Sequence, residues 1–288
     1  GRVLCRSSKD REGKGQVMID LNEKQILAYF KEKLISSPHQ EKLPLPSVKI
    51  FPETGSTNTD MKESLKKEGE APEGTVYLTD YQRGGRGRQG HSFYSPKGMG
   101  IYFSILTRPK ESSGNALTIT THAAVAVVRA VKELYDISLS IKWVNDLFLN
   151  GKKVCGILAE GKFCPALEYC IMGIGINLFL PESGFPEELS GIAGALFDYH
   201  EEKKETINRN QFLASILFHY FSLLDRDKVE EEYRKENILL TKDILFTENH
   251  QEYRGRVEAI LEDGSLSVRC QEGSMKIVSS GEVKEKFL

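Results

Sequence analysis

The chain has 288 residues, 40% of them hydrophobic and 28% charged, enough for one large domain and a small one around a sizeable buried core. Lysine and arginine number 39 against 41 aspartates and glutamates, and the formal net charge of -2 argues against a general nucleic-acid binder while leaving room for the local basic loop at residues 83–88. No apolar run approaches the length of a membrane span, and five cysteines (Cys5, Cys155, Cys164, Cys170 and Cys270), odd in number and without a CxxC pair, speak against a disulfide framework or a thiolate zinc site and fit a reducing compartment.

The first residue is Gly1 rather than Met, as in a processed chain from which a transit segment or a further domain has been removed. Residues 1–16, with Arg2, Arg6, Lys9, Arg11 and Lys14, read as a flexible tail. Ile26, Leu27, Phe30 and Leu34 recur at helical spacing and predict a helix over 20–35, after which Pro38, Pro44 and Pro46 mark a linker. Thr57 and Asp60 have the spacing of a capping box at the head of a helix over 57–68. Strands are expected at 74–80 and 100–107. A helix is expected over 116–135, with Ala124, Val127, Val128, Val131 and Leu134 on one face. Segments 139–149 and 152–160 read as a hairpin around Asn150-Gly151, a pair suited to a type I′ turn. A strand at 168–179 precedes long helices over about 208–236. From Asp243 onward, short runs at 243–247, 252–260, 265–270 and 275–279, punctuated by turns such as Asp263-Gly264, suggest a separate small β-barrel.

Three motifs carry chemistry. The loop Gly84-Gly85-Arg86-Gly87-Arg88-Gln89-Gly90 combines glycines, which let backbone N–H groups approach a ligand, with guanidinium forks suited to phosphate or carboxylate. It lacks the Walker A spacing, and a solvated turn or an RGG-like RNA contact are its other readings. Lys142-Trp143-Val144-Asn145-Asp146 places a lysine and an aspartate four residues apart, a pair able to meet a nucleotide phosphate and its Mg²⁺; taken alone, a surface ion pair on a hairpin is the favoured explanation. Ser56-Thr57-Asn58 offers hydroxyls and an amide to a neutral polar ligand, although at a helix start such residues more often cap.

Together these pieces resemble the biotin–protein ligase family, also called holocarboxylase synthetases. In order along the chain the resemblance rests on Ser56-Thr57-Asn58, Tyr81-Gln82 with Gly85-Arg86-Gly87-Arg88-Gln89-Gly90, Lys142-Trp143-Val144-Asn145-Asp146, Lys153 with Gly156-Ile157, Gly173-Ile174-Gly175-Ile176-Asn177, and Gly281-Glu282-Val283. It covers about residues 50–288. It implies an α+β fold, a mixed and antiparallel-rich sheet with flanking helices, followed by a small SH3-like β-barrel. The expected division is an N-terminal tail and helix at 1–47, a catalytic domain at 48–238 and the barrel at 239–288.

The resemblance also implies an activity: ATP activates biotin as biotinyl-5′-AMP, and the biotinyl group passes to a lysine on the biotin carboxyl carrier domain of a carboxylase. Ser56, Thr57, Asn58, Gln82, Gly85, Arg86, Lys153 and Gly156 would then bind biotin. Arg86, Arg88, Phe93, Lys142, Asn145 and Asn177 would face the nucleotide, and Asp146 would help hold Mg²⁺. Arg88, Lys153 and Lys142 would act in catalysis. Many members have Trp where Phe93 stands, packed on the adenine, and Pro where Val144 stands, a change expected to loosen a local turn. The implied partners are the carrier domain and no membrane or nucleic acid, with room for a homodimer. The implied compartment is the cytoplasm, or a plastid or mitochondrion if a transit peptide has been removed. Fewer than about 50 residues precede the catalytic domain, too few for the three-helix DNA-binding module of some members. The alternative readings are a lipoate or octanoate–protein ligase, which shares the adenylate logic, and a ligand-sensing repressor should an upstream domain be missing.

Overall fold

The computed structural model describes residues 21–37, 43–69, 71–108, 115–163, 167–198, 207–248 and 250–285; the expected tail, Pro38, Cys5 and Cys164 lie outside them. Its centre is a seven-stranded sheet in the order β1-β2-β3-β7-β6-β5-β4, built from β1 (Ser47–Phe51), β2 (Thr75–Thr79), β3 (Gly100–Thr107), β4 (Ser140–Lys142), β5 (Asp146–Leu149), β6 (Lys152–Phe163) and β7 (Leu167–Asn177). Only β1 and β2 run parallel, so the sheet is mixed and antiparallel-rich as expected.

The period of two along each strand decides which face does what. On β3, Ile101, Phe103 and Ile105 join the main core, as do Met172, Ile174 and Ile176 on β7. That core lies under α1 (Glu23–Ser36), α3 (Ala116–Tyr135) and α5 (Arg209–Phe221). The alternate residues face the other way, where α2 (Thr57–Glu68) covers Leu106 and Ile171 with its Met61 and Leu65. Both faces of β3 are therefore buried along its whole length. Helix α1 is part of this packing: Phe30 is fully buried with its ring edge-on to Phe218 and Phe221 of α5.

Four readings change. The segment 139–149 is two strands, because Trp143–Asn145 turn and bring Lys142 opposite Asp146. Asn150 and Gly151, with φ of 50° and 75°, then make the β5–β6 turn. The turn at Val144 is held rather than loosened: Tyr233 Oη donates to its carbonyl at 2.9 Å, and Val144 is buried. The long helices over 208–236 are α5 followed by a short α6 (Glu231–Lys235); β1 follows directly on the linker that ends at Pro46. No Thr57–Asp60 capping box forms; Ser56 is the N-cap and the Asp60 carboxylate accepts from the Thr54 hydroxyl.

The C-terminal unit is a five-stranded antiparallel sheet of the SH3-like kind, in the order β11-β10-β9-β8-β12, from β8 (Asp243–Glu248), β9 (Gln251–Ile260), β10 (Leu266–Cys270), β11 (Met275–Val278) and β12 (Val283–Glu285). Its apolar residues are continuous with the main core. The Asp263-Gly264 turn docks it: Trp143 Nε1 donates to the Gly264 carbonyl at 2.8 Å and Thr118 Oγ1 to that of Asp263 at 3.0 Å. Trp143, 5% exposed, is thus chiefly a core residue that ties the site hairpin to this unit.

Candidate active site

Strand register lays out the site. Tyr102, Gly175, Gly156, Asp146 and Lys142 are successive cross-strand partners over β3, β7, β6, β5 and β4. Ser104, Gly173 and Leu158 form the neighbouring row. The run Gly173-Ile174-Gly175-Ile176 thereby sends isoleucines into the core and leaves glycines as a floor on the opposite face. The floor cannot carry side chains: a Cβ on Gly175 would sit 2.5 Å from the Phe93 ring, and one on Gly173 would sit 2.4 Å from Asn58 Oδ1.

A small cavity opens over the Ser104 row. Ser56, Thr57, Asn58, Gln82, Arg86, Phe93, Gly156 and Leu158 are among the residues that line it. Ser56 occupies the N-cap of α2 but makes no side-chain capping bond, so capping does not account for its hydroxyl. Gln82 Oε1 accepts from the Thr57 backbone N–H at 3.0 Å, and its Nε2 donates to Ser95 Oγ at 3.1 Å. The Thr57 and Ser104 hydroxyls lie 2.7 Å apart. Asn58 Nδ2 donates to Glu160 Oε2 at 3.0 Å. Ser56, Thr57, Asn58 and Gln82 make one wall of neutral hydrogen-bonding groups, suited to a neutral polar ligand, with Arg86 at its edge paired to Glu160.

A larger cavity continues toward β4 and the C-terminal unit. Arg86, Arg88, His91, Lys142 and Lys153 line it against Asp146 and Glu282, so it favours anions. Lys153 Nζ is 2.8 Å from Asp146 Oδ1. Arg88 Nη1 donates to Asn145 Oδ1 at 3.2 Å and its Nη2 to the Gly281 carbonyl at 3.5 Å. The glycine-rich loop is therefore fastened across both units. Its fold-back requires Gly85, where a Cβ would meet the Phe93 carbonyl at 2.3 Å. Arg86 points the other way, 3.4 Å from Glu160. Burial pushes the Cys155 thiol up, out of thiolate range, so it offers no nucleophile beside Lys153.

The structure gathers nearly all the expected residues around these two adjoining cavities, and Phe93 lies between them. Its ring covers Gly156 and Gly175, edge-on to Tyr102 at 6.5 Å, and borders the neutral cavity as well as the cationic one. Asn145 lines the larger cavity with its amide already engaged, Nδ2 donating to the Ile157 carbonyl at 2.7 Å. Asn177 stands apart from both linings: it is 6% exposed and its Nδ2 donates to the Gly194 carbonyl at 2.9 Å. Asp146 is a single carboxylate engaged by Lys153, and no group of three or more metal-ligating side chains exists among the described residues. That donor set fits a Mg²⁺ delivered on nucleotide phosphates better than a resident ion. Sequence reasoning missed Ser104 and Glu160. The one signal for them was the single serine of β3 and the single acid of β6.

Comparison with known proteins agrees with this geometry. Residues 50–177 match the model of the Biotin/lipoate A/B protein ligase family, and residues 242–284 match the Biotin protein ligase C terminal domain. The bifunctional ligase/repressor BirA of Bacillus subtilis (strain 168) is 34% identical over 218 residues, 73% of this chain and 66% of that protein, so the match spans somewhat less than two thirds of its length. The biotin--[acetyl-CoA-carboxylase] ligase of Mycobacterium tuberculosis is 29% identical over 153 residues, 52% of this chain and 54% of the other. Among solved structures, the biotin protein ligase from Aquifex aeolicus in complex with biotin and ATP superposes with a TM-score of 0.66 at 26% identity, covering 83% of this chain and 98% of that one.

Proposed function

This chain belongs to the Biotin/lipoate A/B protein ligase family, and from that premise we propose that it is a biotin–protein ligase acting on the carrier domain of a biotin-dependent carboxylase. One observation supports this reading above the others. A neutral hydrogen-bonding cavity and a cationic cavity meet over a glycine floor, with Lys153 beside their junction. The ureido ring of biotin suits the first, and ATP suits the second. No described helix is long and apolar enough to cross a membrane. A cytoplasmic site of action goes with carboxylase modification.

A carboxylate is a poor acyl donor because its charge repels nucleophiles. In the first step a carboxylate oxygen of biotin bonds to the α-phosphorus of ATP and pyrophosphate leaves. Negative charge gathers on the α-phosphate, and Lys153, Lys142 and the loop arginines are placed to stabilise it by fixed electrostatics. Asp146, which lines this cavity, would be the donor this chain offers to a Mg²⁺ carried on the nucleotide, whose charge would help neutralise the phosphates. In the second step the neutral amine of the carrier lysine attacks the acyl carbon and AMP leaves. This step needs positioning more than a protein nucleophile. The glycine-rich loop 84–90 closes over the adenylate and keeps water out.

The test is isotope exchange between pyrophosphate and ATP. Exchange should require biotin and Mg²⁺. Exchange with lipoate or octanoate in place of biotin would transfer the chain to the other branch of the family. The polar set Ser56, Thr57 and Gln82 favours the ureido ring over such apolar chains.

A further inference from the structure

We propose that Arg209 is a positioning residue for the ligand loop: its guanidinium holds both roots of residues 80–99 and so sets where Gln82 and Phe93 stand. The inference rests on the assignment of the two cavities to biotin and ATP, and adds a determinant that touches neither ligand.

β2 ends at Thr79 and β3 begins at Gly100, and the chain between them leaves the sheet. That excursion carries Gln82, the glycine-rich run, Phe93 and Ser95. Its strand pairing is confined to isolated bridges, of Gln82 with Thr54 and Ser95 and of Arg86 with Ser92. These hold the shape of the loop; its seat on the sheet is set at the two roots. Arg209 Nη1 reaches both, donating to Asp80 Oδ1 at 2.6 Å and to the Gly100 carbonyl at 3.2 Å. Gly100 leads to Tyr102, whose Oη donates to the Pro96 carbonyl at 3.0 Å and whose ring meets Phe93 edge-on. A Cβ on Gly100 would lie 2.6 Å from that Oη, so the start of β3 and the tyrosine leave each other no slack. Asp80 stands two positions before Gln82, whose amide spans Thr57 and Ser95. The clamp therefore acts on a wall of the neutral cavity through Gln82, and on the partition between the cavities through Phe93. Arg209 itself is absent from both linings.

The arginine is braced from behind. Asn208 caps α5 by accepting from the N–H groups of Asn210 and Gln211, and its Nδ2 donates to Tyr29 Oη of α1 at 2.9 Å. Asn210 Oδ1 accepts from the Asn22 N–H, at the head of α1, at 2.8 Å. Stability alone does not account for an arginine here. A cation at the first position of a helix opposes the helix dipole, and this one is 5% exposed with an Nε that meets no acceptor among the described residues. Local rules broken in this way mark a functional constraint.

Hydrogen exchange of the ligand-free protein, read by mass spectrometry well below the unfolding temperature of each variant, tests the clamp directly. In Arg209→Met the protected amides of 81–99 should exchange about tenfold or more faster, while those of α3 and β7 keep the protection of the parent. Titration calorimetry should show Arg209→Met binding biotin about tenfold or more weakly. Arg209→Met/Asp80→Leu exchanges the ion pair for apolar side chains, a change that is often neutral for stability. It should bind biotin as weakly as Arg209→Met, because neither root is held. The side chain in Arg209→Lys is one bond shorter, so it keeps a charge near Asp80 without reaching both acceptors, and should fall between the parent and Arg209→Met. If Arg209→Met does not fold, Arg209→Lys alone decides, by faster exchange confined to the loop. Loop exchange equal to the parent's, faster exchange spread evenly over the domain, or a double variant that binds biotin as the parent does, overturns the proposal. A parent that binds no biotin overturns the functional reading instead, while the exchange experiment still decides whether Arg209 roots the loop.

Discussion

Lys153→Ala is expected to slow biotinyl-adenylate formation by roughly 10²- to 10³-fold, the usual cost of removing one fixed charge or donor from a developing oxyanion. The two lysines that open β6 are adjacent, so they leave the strand in opposite directions. Lys153 reaches the cationic cavity, where it pairs with Asp146. Lys152 reaches away, and its Nζ donates to the carbonyls of Ser190 and Gly191 at 3.2 and 2.6 Å, at the end of α4 (Glu187–Ser190). Without Lys153 the site loses a cation and also exposes the Asp146 charge to the incoming phosphates. The loss should fall equally on kcat and kcat/KM, as for an interaction made chiefly in the transition state. Lys152→Ala removes only a partly exposed capping contact, worth about 1 kcal/mol of stability, and should keep activity within about twofold. Equal losses from both variants would show that the site does not lie on this face of the sheet.

Arg88→Gly should leave biotin binding measurable and release the adenylate. The loop is fastened at two separate places. Over the neutral cavity, Arg86 faces Glu160, the Phe93 N–H donates to the Gly85 carbonyl at 2.8 Å, and the Gly84 N–H donates to that of Gly55 at 2.9 Å. Over the cationic cavity, Arg88 bridges Asn145 and Gly281. Removing Arg88 undoes only the second fastening. A charge-assisted contact is worth about 1.5–3 kcal/mol, so the open population should rise roughly 10- to 150-fold. Escaped biotinyl-AMP acylates exposed lysines without choosing among them. Streptavidin blotting of a mixture with bystander albumin, biotin and ATP should show the variant labelling albumin while the parent labels only the carrier. Loss of all labelling would place Arg88 in the chemical step and end the gating account.

Elements whose own sequence carries a strong period were legible. α2, β3 and α3 have the expected bounds because Met61 and Leu65, the largely apolar run of β3, and the face through Ala124, Val127 and Val131 each declare a buried surface locally. The turn at Trp143–Asn145 was not legible, since no glycine or proline marks it. Its groups are satisfied from far along the chain, by Gly264, Tyr233 and Ile157. That turn matters, because it converts a spacing of four into direct opposition of Lys142 and Asp146. The short β12 and the five-residue α6 have too few residues for a period to emerge.

The site divides in the same way. The loop arginines, Lys153 and the Ser56-Thr57-Asn58 run could be named because the motif is contiguous. The partners that orient them could not. Ser104 meets Thr57 across 47 positions and Glu160 meets Asn58 across 102, contacts that exist only once β3, β7 and β6 are in register. Phe93 was assigned to the adenine from its place in the motif. The glycine floor that receives its ring became visible only from the pairing of Gly156 with Gly175.

The most direct test of the central claim is intact-mass analysis of an isolated biotin carboxyl carrier domain incubated with the protein, biotin, ATP and Mg²⁺. The account predicts the addition of one biotinyl group to one carrier lysine, absent when either ATP or biotin is left out and abolished by Lys153→Ala on the same timescale. A carrier that stays unmodified under these conditions, while a lipoyl-type domain gains a lipoyl or octanoyl group from the same protein, would contradict it.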